Sequence, residues 1–269
     1  MGQTLAEKII SNRCKKKVYA DEIAIVPVDI CMLQDGTGPL ALRQLSKIAA
    51  HKVRNTIIFL DHAAPSPRQE LSNAHKALRE FAEKTKVKLS DIGEGISHQI
   101  LAESFVNPGD IVVGADSHTC TSGALGAFAT GMGSTDVAIA MATGKTWLRV
   151  PLTFLINVEG KFPRGVSAKD LILYIIGVLR ADGATYRALE FSGEAVEKMS
   201  ISGRLTLCNM AVEAGAKAGI VASDGITRAY LKERGREKKY KEIKADKDAK
   251  YEKVLAIEAR KLEPMVAFP

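Results

Sequence analysis

An apolar run, Ile111-Val112-Val113-Gly114-Ala115, stops abruptly at Asp116-Ser117-His118 and opens into glycines and small residues that continue to Asp136. A short strand that gives way to Asp-x-His and then to a small-residue loop places charged groups at the carboxyl end of a sheet. Open α/β folds keep their sites there. Glycine in such a loop permits positive φ and lets another group come close. The pattern recurs: Thr56–Leu60 is a second short apolar run and ends in Asp61-His62, while Glu22–Ile30 reads as a third, followed by Gln34-Asp35. GEGISHQI, between them, carries His98 beside turn-forming glycines. His62, His98 and His118 are three of only five histidines, so the imidazoles are concentrated at these run ends.

The rest of the chain alternates strand-like and helix-like segments. Helices are expected over residues 4–12, over Pro39–Ala50, and over SNAHKALREFAEKTK with Ser72 as its cap. Asn107–Asp110 reads as a turn into a strand at 111–115. A second unit begins near Pro151 with a strand in PLTFLINVEG and a capped helix in SAKDLILYIIGVLR. A serine-capped helix from about Ser202 carries Asn209 and Glu213, four residues apart and therefore on one face. Strands and helices alternating at this length predict parallel or mixed sheets flanked by helices. The domain expectation is 1–150 and 151–269.

Composition narrows the function class. The net charge is +7, but +5 of it lies between Arg228 and Glu263, where 13 basic and 8 acidic residues are interspersed with few aromatics. That reads as a solvated mixed-charge helix or hairpin, and no nucleic-acid partner is expected. No apolar run approaches the ~20 residues of a membrane span, and no apolar leader is present. No membrane partner and a cytoplasmic location are therefore expected. Cys14, Cys31, Cys120 and Cys208 are scattered without a CxxC, which predicts reduced, mostly buried thiols. Cys120 stands apart only through its nearness to His118.

These residues carry a resemblance. TLAEKI, MLQDGTGP, FLDH, GISHQILAE, NPGDIVVGADSHTCTSGALGAFATGMGSTDVA, GKTWLRVP and MSISGRLTLCNMAVEAGAKAG follow one another in the order of the aconitase superfamily. Within it, the chain resembles the N-terminal part of the 3-isopropylmalate dehydratase and homoaconitase large subunits. The resemblance implies three-layer α/β/α domains. It implies an iron–sulfur-dependent hydro-lyase that moves a hydroxyl group by dehydration and rehydration, with isopropylmalate isomerisation in leucine biosynthesis the favoured reaction and homocitrate the alternative substrate. Asp61-His62 is the implied pair in which a carboxylate orients the imidazole that protonates the departing hydroxyl, a pairing that also makes sense on its own. His98, His118 and Asp116 resemble further catalytic residues. Gln34 and Ser117 resemble substrate contacts, Asn209 a residue supporting the cluster, and Glu213 a residue at the site water. His51 and His75 match nothing and are read as surface residues.

Two alternatives stay open. His62, His98 and His118 together would make a three-imidazole metal site, and a cluster-free carboxylate-binding module would keep the fold without the chemistry. Joint retention of Asp61, His62, His98, Asp116 and His118 favours the enzyme. The motifs that hold the 4Fe–4S cluster in the family, a G-S-C-T-N-like loop and a C-x-x-C, are absent from these 269 residues. The resemblance therefore implies no metal ligand in this chain, no cluster bound to it, no activity alone, and a small, swivelling-domain subunit as partner.

Overall fold

The structure, a computed structural model, describes residues 2–48 and 53–268. Thr4 caps α1 (Leu5–Cys14): its hydroxyl accepts from the Glu7 N–H while the Glu7 carboxylate accepts from the Thr4 N–H. The expected strand over 22–30 is two strands, β1 (Ile23–Pro27) and β2 (Ile30–Gln34). Proline has no N–H for a central ladder, and β1 leaves at Pro27 to pair antiparallel with Lys145–Arg149.

The chain continues through α2 (Gly38–Leu45), β3 (Thr56–Phe59), α3 (Gln69–Thr85) and β4 (Lys88–Ser90). A short α4 (Ser97–Ile100) runs into one π-helical turn, followed by β5 (Ile111–Gly114), a 3-10 helix at Ser117–Leu125, β6 (Phe128–Gly131), α5 (Ser134–Thr143) and β7 (Lys145–Arg149). Helix α3 starts three residues before the expected cap, directly after Pro65 and Pro67, so Ser72 lies in its first turn and donates to Ser66 Oγ at 3.0 Å. The expected helix over 39–50 ends at Leu45, with its final residues outside those described.

Strands β2 to β6 form one all-parallel sheet in the order β4-β3-β2-β5-β6. The chain moves outward from β2 to β4, then returns to the other side of β2. The sheet order reverses between β2 and β5, and at such a switch point the loops leave in opposite directions and open a crevice. Residues of β2 alternate between two cores. Ile30 and Met32 pack with Leu101, Leu125 and residues of the second sheet, while Cys31 and Leu33 pack with Ile9, Ala41, Leu78 and Met141 of the flanking helices. A strand covered on both faces reads as a continuous apolar run, which is why no alternation is visible in it.

The second half comprises β8 (Thr153–Glu159), α6 (Ala168–Leu179), β9 (Ala188–Ser192), α7 (Glu194–Glu197), α8 (Ile201–Met210), β10 (Ala218–Val221), α9 (Gly225–Glu233) and β11 (Lys253–Glu258). Its four strands are all parallel, in the order β10-β9-β8-β11. Ser167 and Asp170 make the capping box of α6. The sheets separate near residue 150, but the cores do not. Met32 and Phe59 share a cluster with Ile156 and Phe191, and Leu5 donates its N–H to Glu190 across the two halves. The basic segment is neither a single helix nor a hairpin. It contains a 3-10 turn at Glu237–Lys239 and the edge strand β11, which pairs with β8 and packs Leu255 and Ile257 on the core. Among the described residues, no helix is long and apolar enough to cross a membrane.

Candidate active site

The loops after β3, β2 and β5 leave the same sheet edge side by side. Asp61-His62 follows β3, Asp35 follows β2, and Asp116 follows β5, bringing polar residues from three strand ends to the switch point. Asp116 is both a cap and a hub. Its side chain accepts the His118 N–H at 2.8 Å and so starts the 3-10 helix Ser117–Leu125. The small-residue stretch expected as a loop is therefore mostly helical.

Its glycines serve close approach more than turning. A Cβ on Gly123 would lie 1.8 Å from the carbonyl oxygen of Gly219 in the second sheet, and one on Gly131 would lie 2.6 Å from the Asp116 carbonyl. Small residues let this helix seat against β10 and let β6 pass beneath the Asp116 turn.

A chain of hydrogen bonds links the polar groups. His62 Nδ1 lies 2.8 Å from Asp61 Oδ1 and its Nε2 lies 3.2 Å from Asp116 Oδ2. The other oxygen of Asp116 is 3.0 Å from His98 Nε2. Asp61 is held from behind by the Ser97 N–H at 2.7 Å. His118 Nε2 faces Glu213 Oε1 at 3.3 Å, and its Nδ1 faces Ser117 Oγ at 3.2 Å. The carboxylates of Asp61 and Asp116 lie deep, with side chains 9% exposed, whereas the His62 ring is 37% exposed at the rim.

The electrostatics reflect this layering. The Asp116 and Asp61 carboxylates hold the His62 proton, against the opposing effect of burial, and push its pKa up to about 10. Burial alone would raise Asp116, but the hydrogen bonds from His62 and His98 outweigh it and hold the carboxyl far below the usual range. Asp61 is lowered in the same way, burial being outweighed by His62 and the Ser97 amide. The arrangement stores one proton on His62 between two ionised carboxylates at neutral pH.

The remaining expected residues fall into two groups. Glu213 and Ser117 join His118, as described. Asn209 buttresses the site from beneath, donating to Thr121 Oγ1 at 2.9 Å. Asn209 and Glu213 do not share one α-helix as expected: α8 stops at Met210 and Glu213 sits in a 3-10 turn, Ala211–Ala214. Gln34 is buried and turned onto its own loop, where its Oε1 accepts the N–H groups of Gly36 and Thr37. Cys120 is buried, its thiol directed at the carbonyls of Ser117 and Asn209, and burial pushes its pKa up to about 12. It is a packing residue, not a nucleophile.

The three imidazoles do not converge as metal ligands. Asp116 stands between His62 and His98, and the His98 and His118 ring centroids are 6.5 Å apart. Asp35, Asp61 and His62 do bring ligand atoms within 4.8 Å of one another, but both carboxylates already accept main-chain N–H groups.

One expectation is overturned outright. His75 is not on the surface: it is 2% exposed, and its Nε2 lies 2.8 Å from Asp35 Oδ2. The sequence does carry the signal, since His75 shares its helix face with Leu78 and Ala82, the buried stripe of α3. His51 lies outside the described residues. Sequence reasoning also missed Lys217. It lines a cavity of about 520 Å³ that opens beside Asp116 and Ser117. Its Nζ donates to the Gly131 carbonyl at 3.0 Å, and burial lowers its pKa.

The aconitase family (aconitate hydratase) matches residues 7–269. The chain is 61% identical over its whole length to the 3-isopropylmalate dehydratase large subunit of Elusimicrobium minutum. It is 55% identical to 3-isopropylmalate dehydratase large subunit 1 of Thermotoga maritima and 55% identical to large subunit 2 of Archaeoglobus fulgidus. It spans 65% of the length of each of these relatives. The family match runs across both parallel sheets and every loop at the switch point, and the chain belongs to the aconitase family.

Proposed function

We propose that this chain supplies the acid–base part of a hydro-lyase site in a 3-isopropylmalate dehydratase large subunit, with residues 1–150 and 151–269 as two cooperating α/β units. The reaction interconverts 2- and 3-isopropylmalate, a step of leucine biosynthesis. The observation that carries the reading is His62 held between Asp61 and Asp116 at the exposed end of a buried carboxylate layer. Dehydration breaks a C–OH bond and removes a proton from the neighbouring carbon, which lies beside a carboxylate. Hydroxide leaves poorly, so a positioned donor must protonate it. His62 carries that proton throughout the neutral range, and Asp61 and Asp116 stabilise it until transfer. His98, sharing Asp116, and the His118–Glu213 pair are positioned to relay protons to and from the departing or returning water. Ser117 and the Gln34 amide N–H group are the neutral donors offered to substrate carboxylates, and the adjacent Lys217 adds positive charge.

Within the aconitase family the companion group is a 4Fe–4S cluster acting as Lewis acid. The residues here do not fit as its ligands. Cys31, Cys120 and Cys208 are buried, with thiols raised by burial, and no cysteine joins a cluster of ligating side chains among the described residues. Cluster ligands would come from elsewhere in the full subunit, and Asn209 would only support the cluster's surroundings. The chain alone is inactive in this reading and acts with a small subunit. Four free cysteines fit a reducing compartment such as the cytoplasm.

The test uses the full-length subunit, purified without oxygen and combined with a small subunit. Turnover of 2-isopropylmalate that disappears in His62→Ala supports the reading. Turnover of homocitrate alone would reassign the substrate, and turnover of neither acid would overturn it.

A further inference from the structure

We propose that the buried Asp35–His75 pair is a positioning element for the Asp61–His62 dyad, fixing the main chain from which the His62 imidazole projects. The proposal deepens the acid–base reading of His62 and rests on it.

Asp35 follows β2, beside the switch point, and is fully buried. Both of its oxygens are in use. Oδ1 accepts the His62 N–H at 3.1 Å, and Oδ2 accepts the Ala63 N–H at 2.9 Å together with His75 Nε2 at 2.8 Å. Three elements thus meet on one carboxylate: β2, the loop after β3, and α3. That loop has no ladder of its own between Leu60 and the start of α3 at Gln69. Regular secondary structure therefore does not set the direction in which His62 leaves the chain. The main-chain bonds to Asp35 set it from one side, and the Ser97 N–H on Asp61 sets it from the other.

The chemistry explains the residue types. Two successive amide N–H groups and an imidazole N–H all point at one group, which must be an acceptor on both atoms. Asparagine would turn an NH₂ toward one of these donors. His75 anchors the carboxylate to a long helix, so the clamp does not depend on the loop it restrains. The dyad needs such a clamp because His62 spans two carboxylates at 2.8 and 3.2 Å, and a small rotation of its backbone would break both contacts. Misplacing a catalytic group by about 1 Å costs about 10²-fold in rate.

The test compares Asp35→Asn, His75→Phe and His75→Gln with Leu78→Ala, a buried change on the same face of α3. In the 269-residue chain, NMR titration of the His62 ring is expected to move down by about one pH unit in Asp35→Asn and His75→Phe, because the two flanking carboxylates no longer hold it in register. His75→Gln keeps a donor for Asp35 and recovers most of the shift. Leu78→Ala lowers thermal stability at least as much and leaves the midpoint in place. In the full-length enzyme the first two variants lose about 10²-fold in kcat with KM changed less than about threefold. An unmoved His62 midpoint in folded Asp35→Asn and His75→Phe would overturn the proposal and leave the pair a packing feature. Should both variants fail to fold, hydrogen exchange in the wild-type chain decides. Amides of His62 and Ala63 exchanging much more slowly than those of Ser66 and Arg68 support the clamp, and equal rates refute it. A wild-type enzyme that turns over neither acid would sink the functional reading alone, because the titration reads the clamp without turnover.

Discussion

Two aspartate–histidine pairs sit one above the other in this protein, built from the same side chains at the same 2.8 Å separation. Asp61–His62 lies at the rim, with its ring partly in solvent, whereas Asp35–His75 lies beneath it, fully enclosed. A proton on the rim pair can reach a substrate. One on the buried pair cannot, and its carboxylate instead directs its remaining lone pairs to the backbone that carries the rim pair. Geometry alone does not separate the two histidines; exposure and the remaining hydrogen bonds do.

The largest effect should come from breaking the rim pair. His62→Ala in the full-length enzyme is expected to lower kcat about 10³-fold, the scale of a lost general acid, with a loss of unfolding midpoint that fades toward pH 10, where the wild-type ring gives up its proton. Steady-state kinetics beside a urea melt would check both halves of that statement. A rate loss no larger than that of Asp35→Asn would erase the distinction between the two pairs.

Breaking the lower pair should cost less rate and more stability. Asp35→Ala leaves a buried imidazole and two amides without their acceptor, a loss of about 3 kcal/mol in equilibrium unfolding. A change below ~1 kcal/mol would mean that water replaces the carboxylate and that the region is wetter than the structure implies.

The pH dependence sharpens the comparison. His62 is raised in the folded state from its ordinary 6.5 to about 10, so the stability it contributes is fully present below about pH 6.5 and is lost as pH rises through about 10. Asp61 and Asp116 are lowered, so their contribution is present above the ordinary 3.8 and is lost as pH falls below it. Denaturation midpoints of wild type and His62→Gln should therefore differ most near pH 6 and converge toward pH 10. A constant gap across that range would show that the ring's charge does not couple to folding.

The smallest effect concerns thiols close to the site. With Cys31, Cys120 and Cys208 buried and their pKa values raised, a thiol reagent at pH 7 should modify only the partly exposed Cys14 in the native chain. Rapid labelling of Cys120 would contradict its enclosure between Ser117 and Asn209.

Much of this site is legible in the chain because Asp35, Asp61-His62 and Asp116 come directly after apolar strands, although His98 lies in α4. The runs ending at Phe59 and Gly114 are continuous, as strands covered on both faces must be, and the residues at the carboxyl end of such a run in a parallel sheet emerge at the site edge. Family motifs mark Asp61, His62, His98, Asp116 and His118. The misreadings share a different origin. Residues 22–30 look like one strand until β1 finds its partner more than a hundred residues away. Asn209 and Glu213 look like one helical face until the 3-10 turn after Met210 changes the spacing. His75 looks polar and therefore external, although its helical phase places it inward.

The sequence by itself determined most of the element types, a parallel or mixed character for the sheets and the residue types at the strand ends, because local periodicity and turn chemistry are written in neighbouring residues. The tertiary structure alone decided which strand lies beside which, where the order reverses, and that one carboxylate joins β2, α3 and the His62 loop. Those contacts link residues 27 to 40 positions apart in the chain, and nothing local to either partner encodes them. Only packing both faces of the sheet at once fixes which aspartate is enclosed and which histidine is left at the rim.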